Sequence, residues 1–189
     1  NDHLSNFTLK DIYTNYGSSL LENPLNNKEI NTSVFENVYS YNCSDAIIKS
    51  NRGFEVNNLI NCRFYSSENG IRVLSGTANL NNFTNCWFSL IKNSYIIFGG
   101  YGQVNNFYGC VFEGSYYDQA YDGAISISLN DCYNTQFNGC YFENCHRRLL
   151  VETGTSRLTK FDSCRFTFAR DSRKIQIPFE FASIKTITF

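Results

Sequence analysis

A six-residue unit recurs along the chain at an almost constant spacing, and this repeat limits the possible fold more than any other feature. The seven copies are Leu9–Thr14, Phe35–Ser40, Leu59–Phe64, Phe83–Phe88, Phe107–Phe112, Phe137–Phe142 and Phe161–Phe166. Their fourth positions are Ile12, Val38, Cys62, Cys86, Cys110, Cys140 and Cys164, so successive copies lie 26, 24, 24, 24, 30 and 24 residues apart. Periods of this length are typical of solenoids, in which each repeat packs only on its neighbours.

Each column of the repeat has its own physical role. The first column is always Leu or Phe and is predicted to be buried. The third column holds Asn, Asp, Gly or Ser, which tolerate left-handed backbone or turn geometry, so it predicts a tight bend. Because strand side chains alternate between two faces, the fourth and sixth columns point inward and the fifth and seventh point outward.

Two more strand signals follow each unit, for example Ile71–Leu74 and Gly76–Leu80. Three short strands in 24 residues leave no room for a helix, so the sequence predicts an all-β parallel solenoid of about seven coils. We assign residues 1–177 to this domain and expect 178–189 to be a terminal β segment, either a cap or the start of a following region. Since the chain contains no Met, we expect it to be a fragment or a processed domain.

The eight cysteines do not form a metal-binding or disulfide pattern. Five of them stand one per coil in the inward fourth column, and no Cys-x-x-Cys occurs. We therefore predict small buried thiols, with no metal and no cofactor. The net charge of -1 argues against a general nucleic-acid surface, and no apolar run is long enough for membrane insertion.

The longest interval in the repeat, 30 residues between Cys110 and Cys140, marks an insertion. The added stretch, Glu113–Gly123, carries three carboxylates and three tyrosines. Solenoids accept insertions as surface loops, which tend to collect on the binding face. The sequence therefore predicts a functional site beside this loop.

Two glutamates near the insertion occupy equivalent positions. Glu113 and Glu143 are both in the outward seventh column of adjacent coils, so we expect their backbones to stack about 5 Å apart. Neighbouring carboxyl groups that share one proton can supply the acid and the base or nucleophile of glycoside hydrolysis. Asp118 and Asp122 of the loop are candidate substitutes for either Glu.

Aromatic and basic side chains surround these acids. The outward fifth column reads Tyr13, Tyr39, Arg63, Trp87, Val111, Tyr141 and Arg165. Such a ladder suits stacking on sugar rings, and it suits a subunit interface equally well. The predicted substrate-binding residues are Trp87, Tyr116, Tyr117, Tyr121, Tyr141, His146, Arg147 and Arg148. The arginines would contact acidic sugars through paired hydrogen bonds.

The Phe-x-Asn-Cys-x-Phe bend, the Asn column and the inward Cys/Ile/Val stack resemble the right-handed parallel β-helix of the pectate-lyase-like superfamily. Within it the chain is most similar to phage tailspikes and capsule depolymerases, over roughly Phe7 to Ile177. The resemblance implies a single-stranded right-handed β-helix in a homotrimeric virion tail protein. It also implies action outside the cell on a capsular or lipopolysaccharide glycan of the bacterial host.

These observations lead to one preferred function and two alternatives. We predict depolymerisation by a glycoside hydrolase, because carboxylates outnumber candidate cationic bases at the insertion. A polysaccharide lyase with a base such as Arg147 is the first alternative. The second is a non-catalytic glycan-binding or structural segment of a viral fibre. Fold alone does not choose among them, since one fold hosts many activities.

Overall fold

The computed structural model describes residues 4–23, 29–114, 124–145, 148–167 and the backbone of 179–181. This part of the chain contains 27 short strands and no helix. The strands form four parallel sheets, one of six strands and three of seven. Among the same residues, no helical segment has the length and apolarity that a membrane crossing requires.

Each sheet collects one strand from successive coils; among the described strands, the first sheet takes one from each of the first six coils and the other sheets take one from all seven. The first sheet contains β1 (Leu4–Ser5), β5 (Glu29–Asn31), β9 (Gly53–Glu55), β13 (Thr77–Asn79), β17 (Tyr101–Gln103) and β21 (Cys132–Tyr133). The second contains β2 (Thr8–Lys10), β6 (Val34–Glu36), β10 (Asn58–Ile60), β14 (Asn82–Thr84), β18 (Asn106–Tyr108), β22 (Gln136–Asn138) and β25 (Lys160–Asp162). The third contains β3 (Tyr13–Gly17), β7 (Tyr39–Cys43), β11 (Arg63–Tyr65), β15 (Trp87–Ser89), β19 (Val111–Glu113), β23 (Tyr141–Glu143) and β26 (Arg165–Thr167). The fourth contains β4 (Leu21–Asn23), β8 (Ala46–Ser50), β12 (Asn69–Val73), β16 (Ser94–Phe98), β20 (Ile125–Asn130), β24 (Arg148–Thr153) and β27 (Phe179–Phe181).

The predicted parallel solenoid is confirmed. Interior strands pair in parallel with the strands one coil before and one coil after, in the register that the repeat sets, for example Arg63 opposite Trp87. Each of the first six coils has four strands where three were predicted, because the six-residue unit contains parts of two strands. In the third coil, β10 ends at Ile60 and β11 begins at Arg63, with the bend at Asn61 between them.

The last described strand extends the fourth sheet. β27 pairs in parallel with β24 and so adds a strand to the fourth sheet. It lies within 178–189, the segment predicted to be a terminal β segment. The rest of that segment, like 168–178, lies outside the described residues.

The predicted bend column is confirmed by its backbone angles. Asp11, Asn37, Asn61, Asn85 and Ser163 all have a φ of 53°. Gly109 and Gly139 take the same left-handed conformation, with φ of 59° and 60°. Small polar residues and Gly accept this conformation at the least cost, which explains why this column contains only these residue types.

The core consists of aromatic stacks that run along the solenoid axis. The ring of Phe112 stacks between Phe88 and Phe142, with centroids 5.1 and 5.0 Å away. A second stack joins Phe83, Phe107, Phe137 and Phe161. Such stacks follow from the parallel register, which places identical side chains one strand spacing apart.

A buried asparagine ladder stands at the bend between the first and second sheets. Asn57, Asn81 and Asn105 are completely buried. The amide of Asn57 donates to Oδ1 of Asn81 at 3.1 Å, and that of Asn81 donates to Oδ1 of Asn105 at 2.9 Å. Their amides also donate to main-chain carbonyls of the preceding coil, as from Asn81 to Phe54 at 2.7 Å. The ladder therefore satisfies polar groups that the bend would otherwise leave unpaired.

The cysteines form no disulfides, and the predicted buried column is confirmed. All eight are free, and all except Cys164 are buried. Each repeat thiol donates to a main-chain carbonyl of the preceding coil, as Cys86 does to Leu59 at 3.4 Å. The thiols thus act as small apolar residues with a weak donor.

Because the cysteine side chains are buried, we expect almost no thiol reactivity in the folded protein. Only the thiolate reacts, and burial raises the pKa of Cys132 and Cys145 to about 12. We expect no more than one thiol, the partly exposed Cys164, to be alkylated by iodoacetamide in the native protein. Intact-mass spectrometry should count all eight after unfolding in guanidinium chloride. Fast native labelling of two or more thiols would contradict the buried column.

Candidate functional site

The outer face of the third sheet carries two parallel rows of side chains. We call the first row, which is the fifth column of the repeat, the aromatic ladder. It contains Tyr13, Tyr39, Arg63, Trp87, Val111, Tyr141 and Arg165. We call the other the acidic row, and it contains Asn15, Tyr41, Tyr65, Ser89, Glu113, Glu143 and Thr167. Both rows are the outward columns that the sequence predicts.

Cation–π contacts organise the aromatic ladder. The guanidinium of Arg63 lies 5.4 Å from the ring centre of Tyr39 and 5.2 Å from that of Trp87. Arg165 lies 5.6 Å from the ring of Tyr141 in the same way. Trp87 nevertheless keeps 37% of its surface exposed. The ladder therefore presents ordered aromatic and cationic groups to a ligand.

The acidic row also contains aromatic rings that were not among the predicted substrate-binding residues. The Tyr41 ring lies 5.3 Å from Tyr13 and 5.5 Å from Tyr65. A cleft of about 210 Å³ opens here, lined by Tyr41, Arg63, Phe64, Tyr65, Trp87, Ser89 and Glu113. The signal was present in the sequence, because the outward seventh column already contains both tyrosines. The cleft brings the predicted Trp87 and the predicted Glu113 to one site.

The two glutamates are direct neighbours across strands. Glu113 pairs with Glu143 in register, as predicted, and both are half-buried. Oε1 of Glu113 accepts a hydrogen bond from the hydroxyl of Ser89 at 3.4 Å. Oε2 of Glu143 accepts one from the hydroxyl of Tyr141 at 2.9 Å. Each carboxylate is thus held by a hydroxyl group, that of Glu113 in the cleft and that of Glu143 on the next strand, while their catalytic role stays a prediction.

The insertion follows the strand that carries Glu113. The corner between the third and fourth sheets spans 66–68, 90–93 and 144–147 in neighbouring coils, but 114–124 in this one. Of the predicted site residues, the following lie outside the described part of the chain: Tyr116, Tyr117, Asp118, Tyr121, Asp122, His146 and Arg147. Arg148 begins β24 of the fourth sheet and is half-buried, so its strand is not part of the face that carries the glutamates.

A thiol lies beneath the glutamates. Cys145 donates to the main-chain carbonyl of Phe112 at 3.3 Å and is buried. Burial, with a contribution from the charge of Glu113, raises the pKa of this thiol to about 12. Cys145 is therefore protonated at neutral pH and serves the packing of the corner. Within the described part of the chain, no three His, Cys, Asp or Glu side chains gather as metal ligands do.

No family model, no curated protein and no solved structure matches this chain. The parallel solenoid is shown by the structure itself. The likeness to the pectate-lyase-like superfamily and to phage tailspikes stays a hypothesis based on the repeat.

Proposed function

We propose that this protein is a tailspike-like glycoside hydrolase that binds and depolymerises a capsular or lipopolysaccharide glycan of bacteria. It would act outside the cell as part of a homotrimeric virion tail protein. The observation that carries the proposal is that Glu113, which lines the aromatic cleft, pairs in register with Glu143 on the next strand. Neither the cleft nor the carboxylate pair alone would indicate cleavage of a glycan.

The cleft supplies the binding groups. The exposed ring surfaces of Trp87 and Tyr65 can stack against the apolar faces of sugar rings. Arg63, held between two aromatic rings, can form paired hydrogen bonds to a sugar carboxylate without losing much side-chain freedom. These groups favour an acidic polysaccharide that runs along the solenoid axis.

The glutamates supply the chemistry. One carboxylic acid donates its proton to the glycosidic oxygen as the bond to the anomeric carbon breaks. The other carboxylate either attacks that carbon or takes a proton from the water that attacks it, and the choice depends on the separation of the two groups. Hydrogen bonds from Ser89 and Tyr141 restrict the rotation of the two side chains, which lowers the cost of ordering them around a bound substrate.

Binding without cleavage is the second candidate. The rings of Tyr13, Tyr41 and Tyr65 form a continuous surface on coils that precede the glutamates. That surface could hold a glycan without any help from Glu113 or Glu143.

Digestion of a panel of acidic and neutral capsular and O-antigen polysaccharides tests the proposal. New reducing ends without ultraviolet absorbance from unsaturated sugars would support the hydrolase. Unsaturated products would indicate the lyase instead. Binding of a panel member that is never cut would leave the glycan-binding solenoid.

Trp87→Ala tests the cleft separately from the chemistry. We expect the affinity for the bound polysaccharide to fall about tenfold, because central Trp residues commonly contribute more than 1 kcal/mol to binding. Tyr108→Ala is the matched control, since Tyr108 is 43% exposed but lies on the second sheet. Affinity electrophoresis in polysaccharide gels would measure both. Equal mobility shifts for the two variants would argue against the cleft.

A further inference from the structure

A second aromatic and basic cluster lies on the outer face of the first sheet. The rings of Tyr101 and Tyr133, on adjacent strands, have centres 5.5 Å apart. The guanidinium of Arg157 lies 4.8 Å from the ring centre of Tyr133, and the two residues form a parallel bridge. This is the same combination of side chains that lines the cleft of the third sheet, but on a different sheet.

The cluster borders a concave surface. A cleft of about 430 Å³ is lined by Tyr101, Gln103, Tyr133, Asn134, Arg157 and Leu158. It shares no residue with the cleft of the third sheet. Tyr101 and Arg157 are both exposed, so an aromatic face and a cation are available to a ligand.

Hydrogen bonds order the rim of this cleft. The hydroxyls of Tyr133 and Thr155 lie 2.6 Å apart. Thr155 is held in turn by Asp131, whose Oδ1 accepts from the main-chain N–H of Thr155 at 2.7 Å and from its hydroxyl at 2.8 Å. The amide of Gln103 also contacts the hydroxyl of Tyr101. Groups held in advance lose less entropy when a ligand binds.

An exposed apolar residue stands at the bend that borders this cleft. Leu158 has a φ of 62°, a conformation that favours Gly or Asn, and its side chain is 55% exposed. Val56 and Leu80 occupy the same column with φ of 54° and are also exposed. The left-handed φ at these positions belongs to the bend between the first and second sheets, so it is part of the fold. Of the three residues, Leu158 lines the cleft, where its exposed apolar side chain is available to the apolar face of a sugar ring.

We propose that this cleft is a second saccharide-binding site, specific for a glycan that carries carboxylates. Tyr101 would stack on a sugar ring, and Arg157 would form paired hydrogen bonds to a uronate. The amide groups of Gln103 and Asn134 would contact sugar hydroxyls. The cluster contains one cation, too few to indicate a nucleic acid, which requires many phosphate contacts. The site does not depend on hydrolysis at Glu113 and Glu143.

Polysaccharide binding by four variants tests the second site. Each polysaccharide of the acidic and neutral panel is immobilised, and all measurements use a Glu143→Gln background so that no ligand is consumed. The first protein is this background itself. The other three add Tyr101→Ala together with Arg157→Ala, Trp87→Ala, or the control substitution Tyr108→Ala. We expect the double substitution to lower the affinity for at least one acidic polysaccharide about tenfold. Affinity for neutral polysaccharides should change less than about twofold. Because the replaced side chains are exposed, thermal unfolding should be unchanged.

The outcomes separate this site from the proposed function. If Trp87→Ala weakens binding and the double substitution does not, the second site is wrong while the proposed function stands. If the double substitution alone weakens binding, the second site is supported and the cleft of the third sheet is not. A change in sedimentation with unchanged glycan affinity would overturn the saccharide assignment and identify an interface between protein chains. If no polysaccharide binds the unsubstituted background, both proposals are wrong.

Discussion

Replacing Glu143 with Gln is expected to slow polysaccharide cleavage by about a hundredfold to ten-thousandfold, the usual contribution of a general acid or base. The amide keeps the size of the side chain and can still accept the hydrogen bond from Tyr141. It cannot exchange the proton that cleavage requires. Binding of the same polysaccharide and the thermal unfolding midpoint should therefore stay close to those of the unsubstituted protein.

Two further variants make this result specific. Glu113→Gln should lower the rate to a similar degree, and the double variant should be little worse than either single one, because the pair acts as a unit. Glu36→Gln is the control, since Glu36 is also a half-buried surface glutamate but pairs with Lys10 on the second sheet. Initial rates from reducing-end assays at saturating substrate compare the set. Cleavage by Glu143→Gln at the full rate would exclude Glu143 as acid, base or nucleophile.

Replacing Asn81 with Ala is expected to lower the free energy of unfolding by about 3 kcal/mol. Oδ1 of Asn81 accepts hydrogen bonds from the main-chain and side-chain amides of Asn57, and its amide donates to Phe54 and Asn105. Removing the side chain leaves several buried polar groups without one of their partners. Each such group costs about 1–3 kcal/mol when it stays unsatisfied.

The neighbouring Asn82 provides a control of the same residue type. Asn82 also forms a ladder, with Asn58 and Asn106, but on the partly exposed outer face where water can replace the lost bonds. We expect Asn82→Ala to cost no more than about 1 kcal/mol. Guanidinium chloride unfolding, followed by circular dichroism, would measure both variants. Equal losses would show that the buried ladder contributes no more than the exposed one.

Much of the fold follows from the repeat because each buried or bend column favours one class of residue, either apolar, or small and polar. Gly and small polar residues are favoured at the left-handed bend at Asn61 and Gly109, and apolar side chains are favoured at the buried position of Phe112. The same alternation places Trp87 and Glu113 on the outer face from the sequence alone. The register of Glu113 with Glu143 followed from counting residues along the repeat, despite the insertion between them.

Other contacts could not be predicted from the repeat because the two residues that meet lie on different coils. Asn is usually exposed, so Asn81 gave no sign that it is buried and bonded to Phe54, 27 residues earlier. The pairing of Tyr133 with Arg157 was hidden because the strand of the first sheet is only two residues long in that coil. The bend inside the six-residue unit was predicted, but the residues before it were not counted as a strand of their own, which is why four strands appear where three were expected.

The sequence by itself determined the period of the solenoid, the parallel stacking of its coils and the face on which each column lies. These properties depend on which residue types tolerate burial or a left-handed bend, and those residue types recur at equivalent positions in each repeat. Only the tertiary structure decided which side chains meet: the buried asparagine ladder, the Arg63 guanidinium between two rings and the cleft around Tyr101 and Arg157. Those contacts depend on distances of a few ångströms between residues far apart in sequence, which a repeat pattern does not specify.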